Sequence, residues 1–133
     1  MITGKCNCGE VAFSINYEPK NVIMCHCSIC RRFTGTSGIA VVVVDKSQFT
    51  WTKGHSNVTV WDKPDHDWQA NFCKTCGSSV PGENDESRMF IPAGMLNSEI
   101  EGLTVTHHIW TESKACWDEI ADSGKQHPRE FKG

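Results

Sequence analysis

Eight cysteines in 133 residues constrain this chain more than any other feature. They fall as Cys6-x-Cys8-Gly9, then Cys25-x-Cys27-x-x-Cys30, then Cys73-x-x-Cys76-Gly77, with Cys116 apart from the rest. The start, Met1-Ile2-Thr3-Gly4-Lys5-Cys6, offers neither a basic leader nor a hydrophobic stretch, so a cytosolic chain is expected. Cytosolic thiols are kept reduced, and reduced cysteines in close clusters hold metal more often than they form disulfides.

Zinc in a structural site takes four tetrahedral ligands and favours thiolates, and a tight cysteine pair supplies one edge of the tetrahedron. Cys6/Cys8 and Cys73/Cys76 match one another because each pair is followed at once by a glycine, able to take the positive φ of a tight turn around a metal. The spacing therefore predicts one closed four-cysteine site, joining the two ends of most of the domain. Cys25, Cys27 and Cys30 pack three sulfurs into one short turn with no fourth donor nearby. Three protein ligands with an open fourth position is the arrangement of catalytic zinc. Two other outcomes remain open for this triplet: closure by a distant Cys116, His107 or His108, or no metal at all. His26, between two of the cysteines, is expected to point away from the metal and to support the site rather than ligate.

Composition narrows the class. Hydrophobic residues make up 38%, with 11 glycines beside them, which is ordinary for a globular chain and excludes disorder as the main state. One domain spanning 1–133 is expected, with the tail after about residue 123 lying loosely on the surface. The longest apolar run, Ile39–Val44, falls far short of the roughly 20 residues that span a bilayer. Thirteen basic against 16 acidic residues give a net charge of −3, and no Lys/Arg run is long enough to neutralise several phosphates. Membrane and nucleic acid are thus set aside as partners.

Short alternating runs predict strands at Val11–Asn16, Val22–Cys25, Phe49–Thr52, Val58–Trp61, Trp68–Cys73, Met89–Ile91 and Val105–Trp110. Ile39–Val44, apolar at every position, predicts a fully buried central strand. Arg31–Gly35 is too short for more than a turn of helix, and Cys116–Ala121 offers one or two turns. The fold class is therefore all-β, with mainly short antiparallel strands and little helix.

Gly4-Lys-Cys-Asn-Cys-Gly-Glu-Val11, Cys25-His-Cys-Ser-Ile-Cys-Arg-Arg-Phe-Thr-Gly35, Phe72-Cys-Lys-Thr-Cys-Gly-Ser-Ser-Val80, Pro92-Ala-Gly-Met-Leu96 and His108-Ile-Trp-Thr-Glu-Ser-Lys-Ala115 together resemble the glutathione-dependent formaldehyde-activating enzyme family, also called the centromere-protein-V/Gfa family. The resemblance implies a zinc-bearing β-tent-like fold of coiled antiparallel sheets. It implies two zinc ions per chain, one closed on Cys6, Cys8, Cys73 and Cys76 and one catalytic on Cys25, Cys27 and Cys30. The implied reaction is that of a carbon–sulfur lyase, condensing formaldehyde with the thiol of glutathione to S-(hydroxymethyl)glutathione. Arg31, Arg32 and Lys114 are candidate contacts for glutathione, and with His26 they are candidates to offset thiolate charge. The chain departs from the family at Ser113-Lys-Ala-Cys-Trp117, where Ser-Lys-Ala-Pro-Trp is common. Cys116 there could be a fourth ligand, a reactive thiol or a small buried residue. Against the enzyme stand a non-catalytic zinc-stabilised module binding a protein or small thiol, and a metal or redox sensor using the triplet.

Overall fold

The computed structural model describes residues 1–130. In chain order the described residues form β1 (Ile2–Lys5), β2 (Ala12–Ile15), β3 (Asn21–Cys25), α1 (Ser28–Thr34), β4 (Ile39–Asp45) and β5 (Phe49–Lys53). They continue as β6 (Val58–Asp62), β7 (Gln69–Cys73), β8 (Gly82–Glu83), β9 (Arg88–Pro92), β10 (Thr104–Ile109) and β11 (Lys125–Gln126). The described residues are mainly β with one short α-helix, in the class that the short alternating runs predict. Among the described residues no helix is long and apolar enough to cross a membrane.

The chain divides into two compact units. Met1–Pro19 and Val43–Ile100 make the first, in which β2 lies between β1 and β5 with both pairings antiparallel. β2 can be central because Phe13 and Ile15 are fully buried and Ser14, on its other face, is nearly so. β5 sets Trp51 opposite Phe13 and Phe49 opposite Ile15. The Phe13 and Phe49 rings stack at 5.6 Å, and Phe49 meets Trp51 edge-on at 4.9 Å. Full burial of a side chain such as Phe13 or Ile15 contributes roughly 1.5–3 kcal/mol. Two antiparallel hairpins, β6–β7 and β8–β9, complete the unit. Its core includes a cluster of Cys6, Val11, Cys73 and Val80, against which Trp51, Val58 and Met95 pack.

Lys20–Val42 and the chain from Glu101 make the second unit, with strand order β11-β10-β3-β4. β3 pairs antiparallel with β4 but parallel with β10, and β11 also runs parallel to β10. α1 links β3 to β4 and brings the cysteine triplet to the end of β3.

Four expectations need correction. Ile39–Val44 is not buried throughout: Ile39 and Ala40 are half-buried, and from Val41 on half-buried Val41 and Val43 alternate with buried Val42 and Val44, since alternate residues of a strand face opposite sides. Helix begins at Ser28, ahead of Arg31, and Cys30 lies inside it. Cys116–Ala121 forms no helix, only a turn closed by the Asp118 N–H donating to the Ala115 carbonyl at 3.1 Å. The tail after Ser123 is not loose either. Lys125–Gln126 pair with β10, and the His127 N–H donates to the His108 carbonyl at 2.8 Å, so backbone hydrogen bonds hold a segment with no apolar pattern.

Candidate metal centres

The two cysteine pairs of the first unit sit in turns of one design. At the end of β1 the Cys6 N–H donates to the Val11 carbonyl at 3.0 Å and the Gly9 N–H to the Cys6 carbonyl at 3.1 Å. At the end of β7 the Cys73 N–H donates to the Ser78 carbonyl at 2.9 Å and the Gly77 N–H to the Cys73 carbonyl at 2.8 Å. Gly9 and Gly77 have φ of 79° and 77°, the left-handed conformation that a side chain disfavours. Each turn thereby points two sulfurs the same way.

The four sulfurs lie within 4.8 Å of one another, with Cys6–Cys8 at 3.6 Å and Cys8–Cys73 at 3.7 Å. A tetrahedron with zinc–sulfur bonds of about 2.3 Å has edges of about 3.8 Å, so the set has the size and chemistry to hold zinc. Four thiolates around a 2+ ion leave a charge of −2, which nearby donors must offset. The Val11 N–H donates to Cys6 Sγ at 3.3 Å and the Asn57 amide to Cys73 Sγ at 3.4 Å, while Ser78 Oγ lies 3.2 Å from Cys76 Sγ. The Ser78 hydroxyl, with the Ser78 amide, draws the Cys76 thiol down to about 5.

The triplet is built in the second unit by a strand end and a helix start. Cys25 closes β3, and Cys27 caps α1 by accepting the Cys30 N–H on its sulfur at 3.3 Å. The cap brings the Cys27 and Cys30 sulfurs together one turn apart, and all three sulfurs lie within 4.8 Å of one another. Gly38 permits this packing by space alone: a Cβ there would overlap the carbonyl of Cys25. Held so close, the three thiols cannot all ionise independently. Cys27 is drawn far down by the hydrogen bonds of Cys25 and Cys30, and Cys25 is pushed up to about 11, chiefly by its hydrogen bond to Cys27.

Among the described residues no fourth His, Cys, Asp or Glu joins these sulfurs within that distance. Cys116 is exposed and lies outside the cluster; His107, half-buried, and His108, buried, lie outside it as well. His26 is 2% exposed and has Nε2 2.8 Å from His108 Nδ1. Burial, with the adjacent His108, holds its pKa below the usual value. Arg31 and Arg32 follow Cys30 on α1; Arg32 is exposed, and Arg31 Nε is buried without a hydrogen bond. Lys114 is exposed and its ammonium donates to the Asp118 carbonyl at 2.8 Å. The structure also sets His108 and Asp118 against His26, and Asp122 against His108, contacts that sequence reasoning missed.

The model of the glutathione-dependent formaldehyde-activating enzyme family matches residues 1–113 of this sequence. The chain belongs to that family. A Halomonas elongata protein, provisionally named as a glutathione-dependent formaldehyde-activating enzyme, is 25% identical over 129 residues, covering 90% of this chain and 81% of that protein. A crystal structure of a Rhodobacter sphaeroides protein shares the fold, with a TM-score of 0.59 and 21% identity over 74% of this chain and 91% of the other. Both cysteine sets fall inside the residues that the family model matches.

Proposed function

We propose that this family member is a zinc-dependent enzyme of the carbon–sulfur lyase type, joining glutathione or a related thiol to formaldehyde as S-(hydroxymethyl)glutathione or the corresponding adduct. The observation that carries this is the convergence of Cys25, Cys27 and Cys30 without a fourth donor among the described residues, beside a separate set of four. Cys6, Cys8, Cys73 and Cys76 then serve a structural zinc, and the triplet a zinc with one exchangeable position.

Zinc held by the triplet supplies Lewis acidity, lowering a thiol's pKa or polarising an aldehyde oxygen. In the reaction one carbon–sulfur bond forms, the carbonyl π bond opens, and the thiol proton passes to the aldehyde oxygen. The chain's own part is to hold and orient the reactants. Arg31 and Arg32, on the helix that carries Cys30, offer guanidinium groups suited to the carboxylates of glutathione. The buried Arg31 Nε–H is a donor still without an acceptor. Lys114 retains two further N–H donors beyond the one given to Asp118.

Magnetisation transfer between formaldehyde and its glutathione adduct, followed by NMR, tests the proposal. Zinc-loaded protein should exchange them faster than the uncatalysed reaction, and Cys27→Ser should return the rate to the uncatalysed one. Glutathione binding with no change of rate would favour the non-catalytic module.

A further inference from the structure

The stretch between β10 and β11 has almost no regular structure, yet it delivers two carboxylates to one buried histidine pair. After the Thr111–Ser113 turn, it is held internally by the Lys114 ammonium on the Asp118 carbonyl. From this stretch Asp122 Oδ1 lies 2.8 Å from His108 Nε2 and accepts the Gly124 N–H at 2.8 Å. His108, only 3% exposed, meets His26 Nε2 through Nδ1 at 2.8 Å. Beyond it, His26 Nδ1 faces Asp118 Oδ2 at 3.4 Å. The four side chains form a line: Asp122, His108, His26, Asp118.

His26 sits between Cys25 and Cys27, so whatever fixes residue 26 fixes the turn that separates two of the three sulfurs. It is fixed twice, by its side chain on His108 and by its N–H donating to the carbonyl of the next residue of β10, Ile109, at 2.9 Å. Groups that are not ligands but orient a metal's ligands commonly govern its affinity. We propose that Asp122 and His108 are positioning residues for the triplet metal centre: acting through His26 they set the Cys25–Cys27 turn, and a metal held there in return orders the segment around residues 114–124. The coupling has to be reciprocal, because a segment that strengthens metal binding when docked is itself docked more firmly when metal is bound. This rests on the triplet holding zinc and not on turnover.

Asp122 is the residue to change, since its side chain is 44% exposed and its removal leaves no buried void. Zinc-loaded wild type, Asp122→Ala and Asp122→Asn are titrated with a chromophoric chelator, the four-cysteine centre serving as internal reference. Hydrogen exchange of residues 114–124 is recorded with the triplet loaded and stripped. Asp122→Ala should bind triplet zinc roughly tenfold more weakly, the effect typical of an outer partner, with the reference centre unchanged. Zinc should slow exchange in the segment by a comparable factor in wild type and not in Asp122→Ala. Asp122→Asn, whose amide oxygen still accepts from His108 and Gly124, should stay close to wild type in both. Unchanged triplet affinity in Asp122→Ala, equal weakening of both centres, or an Asn variant as impaired as the Ala variant each overturns the proposal. A wild-type triplet that takes up no zinc overturns it together with the metal assignment, whereas zinc uptake without turnover overturns only the enzyme.

Discussion

Cys73 and Cys27 are both thiols in metal-sized clusters, but what surrounds them differs. Cys73 has no exposed surface and belongs to the cluster that includes Val11 and Val80. Structural zinc in small domains carries roughly 10 kcal/mol or more of apparent stabilisation. Cys73→Ser should therefore lose its cooperative thermal transition in circular dichroism. Cys27 is half-buried and caps a helix, a position where the hydroxyl of serine is among the best substitutes. Cys27→Ser should keep most of the wild-type melting temperature while binding one zinc fewer, and comparable losses in the two variants would show the centres to be misassigned. Both cysteine sets were legible because ligands a few residues apart must share a turn. His108 was not. It lies 82 residues from His26, and its strand alternation says which face it occupies but not which strand lies beside it.

Elements were legible where alternation was strong. The Phe13/Ile15 and Phe49/Trp51 pairs announce strands because each has two large apolar residues separated by one polar residue. The start of α1 gave no such signal, since its cap is a cysteine rather than Ser, Thr, Asp or Asn. β11 gave none because its hold on β10 is backbone hydrogen bonding between polar residues. The juncture of β3, α1 and β4 was also unreadable, and it depends on Gly38 lying against the Cys25 carbonyl. Gly38→Ala forces either the β4 approach or the end of β3 to move, and overpacking of this kind costs about 1–3 kcal/mol. The variant should lower the melting temperature and weaken zinc at the triplet, with the four-cysteine centre retaining its ion. Full zinc content with wild-type affinity in Gly38→Ala would show that the contact does not set the triplet's geometry.

At the scale of the whole chain the two centres tie together different things. Cys6 and Cys8 belong to one of the two chain segments that build the first unit, and Cys73 and Cys76 to the other, so an ion shared among them closes a long loop. Closing such a loop removes conformational freedom chiefly from the unfolded chain, and losing the ion restores it. Cys25, Cys27 and Cys30 lie on one continuous turn within a single segment, and an ion there closes almost no loop. The triplet also has no fourth protein ligand among the described residues, leaving room for a chelator to bind before any sulfur departs. Purified, reduced protein should therefore carry close to two zinc ions, and a mild chelator should remove them in two stages. The first ion should leave with the far-ultraviolet dichroism nearly unchanged. The second should leave only as that signal collapses. Simultaneous loss of both ions in one unfolding transition, or elemental analysis showing one zinc or fewer in unchelated protein, would mean that the triplet is not an independent open centre.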